Sequence, residues 1–195
     1  MNPYKNESAW KTTEAFYQKY YGDDQNRYIC FGINPGRFGG GITGIPFTDP
    51  INLEEKCGIP NDFDKKPELS SRFIYEMIEA YGGPDMFYKK FYISAVSPLG
   101  FIKDGVNLNY YDIKGFKNIF EEYVVDEIKK QLMLPVHTSL AYSIGKGQNI
   151  KYLNYINEKY GLFEKILPLS HPRWVMQYRL KRKEEFIREY LEAFA

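Results

Sequence analysis

Residues 27–47 read RYICFGINPGRFGGGITGIPF, and the change of character inside this stretch decides the fold. Arg27 to Asn34 is a short apolar run rich in strand formers, and Pro35 and Gly36 stop it. Glycines then follow at 36, 39, 40, 41 and 44, so the segment from Gly36 to Lys66 reads as a functional loop region without long helices. The same pattern, an apolar run with a polar exit, recurs three times. KFYISAVSP (90–98) stops at Pro98, SLAYSIG (139–145) stops at Gly145, and EKILPL (164–169) runs into Ser170-His171-Pro172. Helical spacing fills the intervals. Residues 8–21 place Trp10, Phe16 and Tyr20 on one face with Ser8 as the cap, and Ser70 opens an amphipathic helix ended by Gly82 and Gly83. Further helices are predicted over about 117–132, 148–160 and 177–194. Strands alternating with helices imply crossover connections, hence an α/β protein with a mainly parallel four-stranded sheet covered on both faces. With no repeat, low-complexity tract or linker, residues 1–195 are expected to form one domain.

Composition narrows the function without naming it. Lysine and arginine total 26 and aspartate and glutamate 25, a net charge of +1. This excludes a polycation that binds nucleic acid by bulk charge, and leaves room for an enzyme with one basic face. Two cysteines cannot build a disulfide framework, and no Cys/His cluster has zinc-ligand spacing, so neither metal nor cofactor is expected. The N-terminal residues lack an apolar signal core, and no run approaches the roughly 20 residues needed to cross a bilayer, so a cytoplasmic protein without membrane contact is expected. Aromatic residues make up 17% of the chain, which fits either a base-stacking surface or an aromatic core.

In a parallel sheet the binding crevice lies beyond the carboxyl ends of the strands. The four exits carry Asn34-Pro35-Gly36, Ser97-Pro98-Leu99, Gly145-Lys146-Gly147 and Ser170-His171-Pro172, and all four should converge on one edge. The glycine-rich loop is neither a Walker loop nor a dinucleotide fingerprint, since its spacing fits neither. Within it Asn34 can hold a water and Phe47 can offer a flat apolar surface, although Asn-Pro-Gly is also an ordinary turn. His171 is one of only two histidines. As a neutral imidazole it can donate a hydrogen bond to developing negative charge, and it can equally serve structure. From His171 to Lys183 the charged residues are all basic: Arg173, Arg179, Lys181, Arg182 and Lys183. They suit phosphates or a solvated helix face. Lys146, between Gly145 and Gly147, suits a phosphate contact or a simple turn.

Taken together, these segments resemble the single-strand-selective monofunctional uracil-DNA glycosylases of the uracil-DNA glycosylase superfamily. Their first motif, G-M-N-P-G-P-F-G running on to T-G-V-P-F, is matched in register by Asn34, Pro35, Gly36, Phe38, Gly39, Thr43, Gly44, Pro46 and Phe47. His171-Pro172 resembles the start of the second motif, and YISAVSPLGF and SIGKGQ resemble blocks between them. The resemblance implies a three-layer α/β/α sandwich and a monofunctional glycosylase that flips uracil, or a 5-substituted uracil, out of DNA and leaves an abasic site. It implies that Asn34 positions the attacking water, His171 stabilises the departing base, Phe47 stacks on it, and Gly36 leaves room at its C5 edge. Two departures bear on substrate choice. Ala95 stands where the family has a pyrimidine-reading asparagine, so Ser94, Ser97, Asn107 or backbone near Phe47 takes over that task. The family's H-P-S-P-R-N wedge becomes HPRWVMQYR, with Arg173, Trp174 or Val175 to fill the gap left by flipping. Pro35, Arg37, Pro98, Gly145, Lys146, Gly147, Pro172, Arg173, Trp174 and Arg179 are expected against DNA, the partner of a monomeric enzyme. Excision of xanthine or hypoxanthine, an inactive member that binds abasic DNA, and hydrolysis of free nucleosides are the competing readings.

Overall fold

Strand β1 (Arg27–Gly32) lies inside a four-stranded sheet because its side chains are apolar on both faces. Cys30 points into one core, while Ile29 and Phe31 point into the other. This is the period-two alternation of a strand buried from above and below. The computed structural model describes residues 1–195. Its sheet runs β2 (Phe91–Ala95), β1, β5 (Val136–Ile144), β6 (Ile166–Leu169), with every pairing parallel. Gly32 pairs with Ala95, Phe31 with Ser143 and Ile144 with Leu169, so all four strands end at one edge.

Helices complete the three layers. One face carries α1 (Glu7–Tyr21), α4 (Leu69–Tyr81), α5 (Pro84–Lys90), α8 (Pro172–Tyr178) and α9 (Lys183–Phe194), packed around Phe16, Phe73, Phe87, Val175 and Tyr190. The other carries α6 (Phe116–Gln131) and α7 (Gln148–Tyr160), packed around Val124, Ile128, Tyr152 and Ile156. The loop region after β1 holds only two short helices, α2 (Gly40–Thr43) and α3 (Pro50–Glu55). No helix is long and apolar enough to cross a membrane.

Several local expectations are corrected. Asn6, not Ser8, caps α1 by accepting the Ala9 N–H at 3.0 Å, and Trp10 lies on the exposed side of that helix. Glu68, not Ser70, caps α4, its carboxylate accepting the Ser71 N–H at 2.9 Å. The last helix is two, α8 and α9, separated by a single 3-10 turn over Leu180–Arg182. A hairpin, β3 (Phe101–Lys103) and β4 (Val106–Leu108), stands outside the sheet. Its tip residues Asp104 and Gly105 have φ of 49° and 73°, the left-handed pair that a two-residue turn demands. Asp-Gly between two short apolar runs is a hairpin signature that the sequence carried.

Candidate active site

The edge where the strands end opens into a cavity of about 490 Å³. Its walls include Asn34, Gly36, Phe47, Ala95, Asn107 and His171, contributed by the exits of β1, β2 and β6, the loop after β1 and the hairpin. That volume lies within the range typical of small-molecule sites.

Asn34 sits just past β1, where Pro35 turns the chain away. One Nδ2 hydrogen goes to the Leu108 carbonyl at 3.1 Å, and Oδ1 accepts the Tyr110 N–H at 2.9 Å. Turning the amide over would set oxygen against oxygen and N–H against N–H, losing two bonds of about 1 kcal/mol each. The amide therefore has one orientation, with a lone pair of Oδ1 left for a further partner.

Phe47 has φ of 53°, a left-handed conformation costly for a bulky residue at about 1–3 kcal/mol. The turn around it is held from inside. The buried Thr43 hydroxyl donates to the Thr48 carbonyl at 2.7 Å, and the Thr48 hydroxyl pairs with that of Tyr75 at 3.0 Å. The ring lies over Gly32, so close that a Cβ there would come within 2.7 Å of it. Glycine at the end of β1 is thus required by the ring above it.

His171 caps α8. Its Nδ1 accepts the Arg173 N–H at 3.2 Å, and Pro172 occupies the first helical position, where its missing N–H costs nothing. Burial, with a smaller contribution from the Arg173 charge, pushes the imidazole down to about 4. It is neutral at pH 7, and because Nδ1 is an acceptor the ring proton is on Nε2. The ring centroids of His171 and Phe47 are 6.2 Å apart. The segment before it is fixed by α9: Glu189 accepts from the Ser170 N–H at 3.1 Å and hydroxyl at 3.2 Å, and Tyr190 donates to the Ser170 carbonyl at 2.7 Å.

The remaining candidates divide by position. Ser94, Pro35, Arg37, Pro98 and Arg173 also line the cavity. The Arg37 guanidinium donates to the Gly105 carbonyl and its N–H to Asn107 Oδ1 at 3.2 Å, latching the glycine-rich loop to the hairpin. Ser97 is outside the cavity, its hydroxyl donating to the Leu99 carbonyl at 3.0 Å within the turn. Gly145, Lys146, Gly147, Pro172, Trp174 and Arg179 are also outside it. Lys146 pairs with Glu189 at 3.1 Å, and exposed Trp174 is braced by Phe186 and by Arg179, whose guanidinium is 5.0 Å from the indole centroid. Val175 is fully buried, so of the three wedge candidates only Arg173 and Trp174 reach the surface. Sequence reasoning missed Tyr110, whose N–H meets Asn34, Asn149, which accepts from the Tyr110 hydroxyl, and Glu189, which holds Ser170. No group of three or more His, Cys, Asp or Glu side chains that could hold a metal ion is present.

A parallel sandwich with an oriented amide, a neutral imidazole and an aromatic ring around one cavity places the chain in a class: α/β/α proteins with a crevice beyond the carboxyl ends of the strands. The family model of the uracil DNA glycosylase superfamily matches residues 19–195. Eleven chains of solved structures match, among them wild-type SMUG2 from Pedobacter heparinus. That protein is 46% identical, with a TM-score of 0.95 over 100% of this chain and 86% of its own. No curated protein matches. The chain belongs to the uracil DNA glycosylase superfamily, so it is a DNA glycosylase and DNA is its substrate.

Proposed function

We propose that this glycosylase is monofunctional and removes uracil from DNA by direct attack of water. The observation that carries the reading is the meeting of Asn34, Phe47 and His171 around one cavity. The flipped ring stacks on Phe47. As the N-glycosidic bond breaks, charge gathers on the uracil oxygens and the His171 Nε2–H donates to it, an interaction strongest in the transition state. Asn34 holds water toward C1′ through the remaining lone pair of Oδ1, its Nδ2 hydrogens being directed at the Leu108 carbonyl at 3.1 Å and, more weakly, the Pro35 carbonyl at 3.4 Å. An amide cannot take a proton, so Asn34 orients the water without deprotonating it. The C1′–N1 electron pair departs with the uracil anion, the water oxygen bonds to C1′, and the proton of that water passes to solvent, from which the released anion is reprotonated. Arg37 and Arg173 at the cavity mouth meet the DNA backbone, and Arg173 or Trp174 fills the space vacated in the stack.

Ala95 favours a second activity at the same site. A methyl group in the wall forms no hydrogen bond with a base edge, so it rejects deaminated purines less sharply than an asparagine would. Xanthine and hypoxanthine are therefore further candidate substrates.

The test is incubation with oligonucleotides carrying each base, single- and double-stranded, followed by alkali cleavage of abasic product. Uracil release is expected. Asn34→Ala and His171→Ala should each lose roughly 100- to 1,000-fold in rate while remaining folded. Wild-type rates in both variants would move the site elsewhere. Binding to abasic duplex without release of any base would identify a non-catalytic member.

A further inference from the structure

The Asn34 amide is held by a segment that is itself anchored in the core. Tyr110, whose N–H meets Asn34 Oδ1, is only 1% exposed. Its hydroxyl donates to Asn149 Oδ1 at 2.9 Å. Asn149, also 1% exposed, spends its two Nδ2 hydrogens on the Phe31 carbonyl at 3.1 Å and the Ser143 hydroxyl at 3.2 Å. The Ser143 hydroxyl donates onward to the Gly145 carbonyl at 3.1 Å. A Cβ on Gly145 would lie 3.9 Å from the His171 ring. One buried chain of hydrogen bonds thus runs from the amide at the end of β1, through α7, to the exit of β5 beside the imidazole.

Both polar atoms of the Asn149 side chain are used in this chain, so its amide has one orientation: it fixes where the Tyr110 hydroxyl ends, and with it the backbone N–H that Asn34 accepts. We propose that Tyr110 is a positioning residue, which sets the angle of the Asn34 amide and keeps the water-holding group in register with His171. The inference rests on Asn34 holding the water. It adds that the geometry of that amide is determined by a phenol that never touches substrate.

Tyr110→Phe keeps the ring and removes only the hydroxyl. A shift of a few tenths of an ångström in the amide is expected to slow single-turnover excision about tenfold. Affinity for abasic duplex should stay within twofold, since the DNA-facing surface is unchanged. Both are measured well below the melting temperature, where a purely structural role would lower the melting temperature and leave the rate intact. A cycle with Asn34→Ala completes the test: once the amide is gone, Tyr110→Phe should cost less than twofold more, read from long incubations with excess enzyme.

An unchanged rate in Tyr110→Phe, or the same tenfold loss in both backgrounds, overturns the inference. Should Asn34→Ala give no product, the rate and affinity of the single Tyr110→Phe variant decide. A wild-type rate in Asn34→Ala would instead overturn the water-holding role itself, so the two failures are distinguishable.

Discussion

Acidification from pH 7.5 to 4 should weaken the fold through His171 alone by about 3 kcal/mol. The imidazole is pushed from its ordinary 6.5 to about 4 by burial and by the adjacent Arg173 charge. Above pH 6.5 it is neutral in both folded and unfolded chains and contributes no pH dependence. Between 6.5 and about 4 the unfolded chain takes up a proton that the folded chain refuses, so stability falls as pH falls through this window. At about 1.36 kcal/mol per pH unit, that interval gives about 3 kcal/mol, and below pH 4 the effect levels off. Carboxylates held low by their ion pairs, among them Glu7, Asp23 and Glu185, also begin to lose stabilisation toward pH 4. A comparison with His171→Gln cancels them, because glutamine carries no proton equilibrium. The assay is urea unfolding of both proteins at half-unit steps from pH 7.5 to 4. The difference in unfolding free energy between wild type and variant should shrink by about 3 kcal/mol on acidification, with most of the change between 6.5 and 4. Parallel curves would refute the reasoning. They would mean that the folded imidazole titrates like a solvated one, which a ring lodged in the cavity wall with Nδ1 committed to the Arg173 N–H does not do.

Gly32→Ala should disturb the site more than the sheet, since the Ser94 carbonyl in β2 would lie 3.3 Å from the new methyl and need give only a few tenths of an ångström. The new methyl would meet the Phe47 ring at 2.7 and 2.9 Å, so the ring must retreat by about 1 Å to regain ordinary contact. A displacement of that size costs on the order of 100-fold in rate. Single-turnover excision beside a melting curve checks it, and a rate within twofold of wild type would show that Phe47 is not the stacking surface. Ala95→Asn should raise the preference for uracil over xanthine or hypoxanthine by at least about tenfold, read as a ratio of single-turnover rates on matched oligonucleotides. An unchanged ratio would mean that the base edge does not face this wall.

The layered sheet was legible because its four strands are short apolar runs with abrupt polar stops, and burial on both faces leaves that pattern in any parallel strand. The convergence of Asn34 and His171 followed from strand direction alone, although 137 positions of chain separate them. Element ends were less legible. Asn6 and Glu68 cap helices where Ser8 and Ser70 were expected, since several neighbouring residues can each accept the same N–H and only the path of the chain chooses among them. The hairpin was announced by Asp104-Gly105, a local signal masked by the weak apolar character of its strands.

By itself the sequence determined which chemistry is available: an asparagine and a histidine at strand exits, a phenylalanine in the loop after β1, and an alanine at the end of β2. These are fixed by residue type and by the alternation of a buried strand, both local properties. Tertiary structure alone decided how those groups are set: which way the Asn34 amide faces, which nitrogen of His171 carries the proton, and that Lys146 is paired with Glu189. Asn34 depends on Tyr110 and Lys146 on Glu189, partners distant in the chain, while the His171 proton depends on the turn that brings the Arg173 N–H back to Nδ1; a hydrogen bond has direction only once both ends are in place.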